Sequence, residues 1–212
     1  MIVALAVIGG LAEAAAWALV SVKHVRVWGS LAVALLGAGL AALVTGRVSL
    51  SPRVSPPVAA AVGAATGLAL FAATRAFVAA AAGRWSRFTR HVRAIYGEQG
   101  GWSVGTTLLA ALVVEVGEEL FWRGLVQGRL ASSAGRVAGA LLAWTAYVGA
   151  NLPSANIPIV AGAVVGGAVW AALTLWTGGV LAAVLCHGVW TELMIAFPPA
   201  AARRDRRPVP SS

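Results

Sequence analysis

The chain has 212 residues, of which 59% are hydrophobic and only 11% charged, with a formal net charge of +9. Soluble domains carry about 25% charged residues, and a chain of this length cannot hide so much apolar surface from water, so a soluble globular domain is excluded. A nucleic-acid binder is excluded as well, because the arginines gather at the ends of apolar runs rather than along one face among polar groups.

A helix needs about 20 apolar residues to cross the hydrocarbon core of a bilayer. Seven stretches answer to that length, at 2–22, 27–45, 57–80, 102–124, 137–151, 157–176 and 178–197. The expected fold is therefore all-α, a polytopic transmembrane bundle of about seven spans. The opening MIVALAVIGG has no basic residue before its apolar run, which reads as a first membrane helix rather than a cleaved leader. Its one acidic residue, Glu13, reads as a helix-packing residue.

After the third span, GRWSRFTRHVR repeats arginine every third position at Arg84, Arg87, Arg90 and Arg93. With Trp85 and Phe88 between them, these predict a helix lying at the bilayer surface. Lys23, Arg26, this cluster and the tail at 203–207 fall on one side of the predicted spans. That side is the expected cytoplasm of a plasma-membrane protein, with the C-terminus inside, and the lipid bilayer is an expected partner. The end of the chain, RRDRRPVPSS, carries no cysteine motif for prenylation.

The fourth span holds VVEVGEELFWRG, in which Glu115, Glu118 and Glu119 take three of only seven acidic positions in the chain. Spacings of three and four residues place them on one helix face, with Arg123 a turn beyond Glu119. Ionisable groups within a membrane span face a bundle interior or a wet cavity and mark function by default. The arrangement divides the work. Glu119 pairs with Arg123 as a fixed ion pair, and Glu118 is left to handle a proton.

Residues 137–191 contain no Asp, Glu, Lys or Arg. Turn chemistry at NLPSANIP and WTGG cuts this segment into three helices, and its many small residues let backbones approach. His187 is the only histidine of this core, and Thr191 shares its face four residues on. Glu192, one residue off that face, reads as either a rim residue or a partner for a buried arginine.

Several chemistries find no support. No His-Glu-x-x-His spacing exists for a zinc protease, and Arg123 competes with any metal for the carboxylates, so neither a metal nor another cofactor is expected. Cys186, the single cysteine, adjoins His187, but neighbours on a helix point in different directions and do not form a nucleophile–base pair. Ser132 and Ser133 read as turn residues. Trp28, Trp85, Trp102 and Trp176 stand near span ends, as an aromatic belt requires.

The order EELFWRG, then YVGAN, then LWTGGVLAAVLCH running into HGVWT, resembles the motif order of the CPBP family of intramembrane proteases. That family includes the CaaX prenyl endopeptidases and bacterial relatives linked to bacteriocin self-immunity. The resemblance covers about residues 107–197. It implies a C-terminal four-helix catalytic core, and hence three regions: N-terminal membrane helices with the basic interfacial helix at 1–100, a CPBP-like core at 101–198, and a basic, disordered tail at 199–212.

Carried over by position, the resemblance makes Glu118 the base that activates water, supported by Glu119 and Arg123. Asn151 stands where the family has histidine, and Thr191 where it has asparagine. Asn151 then orients water through its carbonyl oxygen or its amide but cannot take up a proton, while His187 and Thr191 stabilise the oxyanion. The expected substrate is a membrane protein or peptide, with no nucleic acid involved. The two departures also fit a non-catalytic relative acting as a membrane binding or immunity partner. A proton-coupled transporter is a third reading, which the absence of repeated halves disfavours.

Overall fold

The computed structural model describes residues 2–23, 27–45, 48–97 and 102–202, and among these every regular element is helical. In chain order they are α1 (Ile2–Lys23), α2 (Val27–Val44), α3 (Pro56–Ala82), α4 (Ser86–Gly97) and α5 (Val104–Glu119). A π-helical segment, Leu120–Gln127, leads into α6 (Gly128–Ala134), α7 (Arg136–Asn151), α8 (Ile157–Thr177) and α9 (Leu181–Ala196). Helices α1, α3 and α8 are long and apolar enough to cross a membrane; α9 and residues Trp28–Val44 of α2 are apolar but shorter.

Local chemistry sets the ends. Ser55 is extended and prolines occupy the first turn of α3, where a missing N–H costs nothing. The Ser103 hydroxyl accepts from Thr106 N–H at 3.1 Å at the start of α5, and Asn156 caps α8 through Ile159 N–H at 3.4 Å. Gly178, at φ 78°, closes α8 in the left-handed region, as a helix C-terminus favours.

Close backbone approaches fix the packing. A Cβ on Gly117 would stand 2.5 Å from the Leu35 carbonyl oxygen, and one on Gly39 would stand 2.7 Å from Gly117 Cα, so α2 and α5 touch main chain to main chain. Gly63 meets Ala182 and Gly67 meets Cys186 in the same manner, and Trp190 donates to Thr74 Oγ1 at 3.1 Å. Contacts rise together along both chains, so α3 and α9 run parallel. By contrast, α7 and α8 form an antiparallel hairpin, tied by Trp144 Nε1 to Val164 O at 3.0 Å.

These directions bring the ends of α1, α3, α7 and α9 and the starts of α2, α5 and α8 to one end of the bundle. The amphipathic α4 lies there, carrying Arg87, Arg90 and Arg93. His91 Nδ1 accepts from Ile157 N–H at 3.0 Å, and the Tyr96 hydroxyl donates to Met194 O at 3.1 Å. Burial pushes the Tyr96 hydroxyl up to about 12, which keeps it a donor near neutrality. Of the basic residues expected on this side, Arg26 and residues 203–207 lie outside the described residues.

Candidate active site

The carboxylate helix does not run on as one α-helix through 124. It ends at Glu119, and the next eight residues take the wider π register, a form that recurs at functional sites. Four residues then make nearly a full turn, so Arg123 stands over Glu119 with Nε 3.4 Å from Oε2. The same register carries Arg123 and Gln127 to successive turns of α8. Arg123 Nη2 donates to Gly167 O at 3.1 Å, and Gln127 Nε2 donates to Ala171 O at 3.1 Å. The Arg123 guanidinium also lies 4.4 Å from the Tyr147 ring centroid, a cation–π contact.

The second oxygen of Glu119, Oε1, is 3.0 Å from Nδ1 of His187. A carboxylate accepts, so the ring proton belongs on Nδ1 and Nε2 is the nitrogen left over. Trp170 holds the imidazole from one face, with centroids 3.6 Å apart and planes at 16°. Glu119 is fully buried and links two distant parts of the chain: its own helix through Arg123, and α9 through His187.

In front of this frame is a cavity of about 260 Å³, whose polar lining includes Glu115, Glu118, Tyr147, Asn151, His187 and Thr191. It is walled by Trp170, Trp190 and Trp17, and it reaches Val92 and Tyr96 of α4. Glu118, Asn151, His187 and Thr191, which the sequence pattern singled out, thus share one enclosure. Glu119 and Arg123 do not line it. They stand behind it and hold His187 in place. Tyr147 neighbours Glu118 and Thr191 neighbours Glu115, while Thr191 Oγ1 makes no hydrogen bond within the protein.

Residues 100–192 match the family model described as type II CAAX prenyl endopeptidase, Rce1-like. The match falls on the same stretch as the motif order EELFWRG, YVGAN and HGVWT and is consistent with a CPBP-family protease. No curated protein and no solved structure matches the chain.

The Rce1-like region does not complete the enclosure alone. Glu13, on α1, is fully buried; Asn151 Nδ2 donates to its Oε1 at 3.0 Å and Trp122 Nε1 donates to its Oε2 at 2.6 Å. Glu13 is thus more than a helix-packing residue. It belongs to the polar network around the cavity, and its signal was legible, since it is the only acidic residue in the first 97 positions. Trp170 was also missed, and Tyr147 was read only as the aromatic that opens YVGAN, with no role at the site: nothing in an apolar helix distinguishes an aromatic that faces a charge from one that faces lipid.

The remaining acids settle differently. Glu115 is buried and neither of its oxygens has a hydrogen-bond partner. Its Oε2 packs against Gly188, where a Cβ would stand 3.4 Å away, an ordinary contact. Glu192 is half-buried and no arginine among the described residues pairs with it, so of the two readings open for it the partner role is not realised. Cys186 is buried, and its neighbour His187 bonds to Glu119 instead.

Proposed function

We propose that the protein is an intramembrane endopeptidase that hydrolyses a peptide bond of a membrane-associated protein or peptide with water activated by Glu118. One observation carries this reading: Glu118, Asn151 and His187, from three separate helices, line a single cavity with room for water, backed by the Glu119–Arg123 pair.

In the proposed reaction, Glu118 takes a proton from water as its oxygen attacks the carbonyl carbon. The oxyanion forms near His187 and Thr191. With Nδ1 held by Glu119, a ring that donates from Nε2 is an imidazolium, and its charge then faces the Glu119 carboxylate. Thr191 Oγ1 supplies a second donor. Donors fixed in a low-dielectric enclosure stabilise developing charge far better than they would in water. Collapse of the intermediate breaks the C–N bond, and the proton on Glu118 passes to the leaving nitrogen. Packed helices admit water to such a cavity while excluding lipid.

The reading extends to the whole chain. Seven helices, α1, α2, α3, α5 with its π extension, α7, α8 and α9, cross the plasma membrane, and the last four of these form the catalytic core. Residues 1–100, 101–198 and 199–212 act as membrane anchor, core and tail. The α4 end of the bundle, with Arg84, Arg87, Arg90 and Arg93, faces the cytoplasm, as the positive-inside rule favours, and brings the C-terminus there too.

Asn151 supports a second reading, a non-catalytic membrane binding or immunity partner, because its side chain cannot carry a proton. The test is cleavage of a fluorescence-quenched peptide carrying one apolar span, by purified protein in liposomes. Cleavage that survives chelator and disappears in Glu118→Gln supports the protease; undiminished cleavage in Glu118→Gln removes it. If the intact chain cleaves nothing while Glu118→Gln keeps the biological effect, the binding role replaces it.

A further inference from the structure

The two hydrogens of the Asn151 amide are both spent inside the protein. One goes to Glu13 Oε1 at 3.0 Å and the other to the Tyr147 carbonyl at 3.0 Å. A backbone carbonyl only accepts, so the hydrogen-bond pattern assigns nitrogen, not oxygen, to that side. Asn151 also lines the cavity beside Glu118. The end of its side chain left to meet the cavity is the carbonyl oxygen, Oδ1.

That orientation matters to a bound water. A water that gives one hydrogen to Glu118 and the other to Oδ1 keeps its lone pairs for the substrate carbonyl. Were the amide turned round, its N–H would bond to a lone pair of the water and blunt the nucleophile.

Glu13 is placed for this task from the far side. A Cβ on Gly9 would run into the Phe121 ring, so this glycine lets α1 sit against the π segment. Trp122 Nε1 then pins the other oxygen of Glu13. Packing alone would be served by an apolar residue at this position, and a carboxyl group in an apolar helix is costly.

We propose that Glu13 is a positioning residue of the site: from outside the Rce1-like region it clamps the Asn151 amide so that Asn151 presents an acceptor to the attacking water. The proposal rests on the protease reading above and adds a residue that none of the motifs contains. It makes α1 part of the enzyme.

The test uses the full chain in liposomes with the same quenched single-span peptide. Glu13→Gln puts a donor where two donors already point. It lowers kcat by on the order of 10²-fold, as for a group displaced by about 1 Å, with KM little changed. Asn151→Ala in the Glu13→Gln background adds no further loss, because Glu13 acts through Asn151. Glu13→Asp, which keeps both acceptors, restores part of kcat. An unchanged kcat in Glu13→Gln beside a dead Glu118→Gln overturns the clamp and spares the protease. Losses from Glu13→Gln and Asn151→Ala that simply add overturn it too.

A second measurement needs no substrate. The chain has only two asparagines, Asn151 and Asn156, so labelling asparagine with ¹⁵N gives two side-chain amide signals. Glu13→Gln shifts the Asn151 pair and leaves Asn156, which bonds to His91 O, as the internal check on folding. An unmoved Asn151 pair overturns the clamp whatever the activity. A wild-type chain that cleaves nothing overturns the protease reading, and the positioning role falls with it.

Discussion

Glu118 and Glu119 are adjacent in sequence and opposite in duty. Glu118 faces the cavity, and Glu119 is fully buried between Arg123 and His187. Their substitutions should therefore fail in different ways. Glu118→Gln keeps the fold and lowers kcat by about 10²–10⁴-fold, the usual loss with an acid–base group, measured as peptide cleavage in liposomes with an unchanged melting profile. Glu119→Ala leaves Arg123 buried without its carboxylate, which costs about 3–5 kcal/mol and is read as a lower thermal midpoint in detergent. Asn151→His restores a titratable group beside Glu118, with Glu13 placed to accept from its ring. It raises kcat in the native background and loses that gain in Glu13→Gln. At this scale the sequence exposed the charged residues, because carboxylates in an apolar chain stand out. It did not expose Trp170, and it marked Tyr147 only as part of YVGAN, because the role of each depends on what lies opposite it.

Among the elements, α5 and its π extension carry the information that distinguishes this bundle from a stack of apolar rods. The wide turn puts Arg123 over Glu119 and lets Gln127 reach α8; a continuous α-helix over 102–124, as hydropathy predicts, changes both registers. Hydropathy reads apolar length and cannot see which carbonyl an amide will choose. The α2–α5 contact is the element-scale weak point. Gly117→Val drives a side chain into the Leu35 carbonyl, backbone that has no rotamer to yield. It should cost about 1–3 kcal/mol as an overpacked core position. Gly37→Ala on α2, where an added Cβ meets nothing within 4 Å, should leave stability unchanged or raise it. The comparison of thermal midpoints checks this directly. Equal midpoints for the two variants would show that the close approach does not govern this region, since helix propensity favours both replacements over glycine.

For the whole molecule, the interfacial helix α4 connects surface to site. Its Val92 and Tyr96 line the cavity, and its His91 accepts from Ile157 N–H at the start of α8. Burial, with Arg87 and Arg90 nearby, holds His91 below its ordinary value. A histidine with a lowered folded-state pKa binds fewer protons folded than unfolded on the acid side. Its stabilising contribution is therefore complete above about pH 6.5 and falls as the pH drops through the folded value. Protection factors for amide exchange at Ile157 and along α4, corrected for the intrinsic pH dependence of exchange, should fall as the pH drops below about 6.5, and His91→Ala should remove that fall. Protection that stays constant below about pH 6.5 in the native protein would show that His91 does not fasten the helix.

By itself, the amino-acid sequence determined that this chain is a helical membrane protein, that its basic residues gather near helix ends, and that EELFWRG places carboxylates and an arginine inside an apolar helix. These follow from composition and from short periodic patterns, which survive without knowledge of the partner helix. Only the tertiary structure decided that Glu118, Asn151 and His187 share one enclosure while Glu119 and Arg123 stand behind it. It alone brought Glu13 to Asn151, across 138 positions of chain. Such meetings depend on helix crossings set by glycine contacts and by one π turn, and no local pattern encodes the distance between residues on different helices.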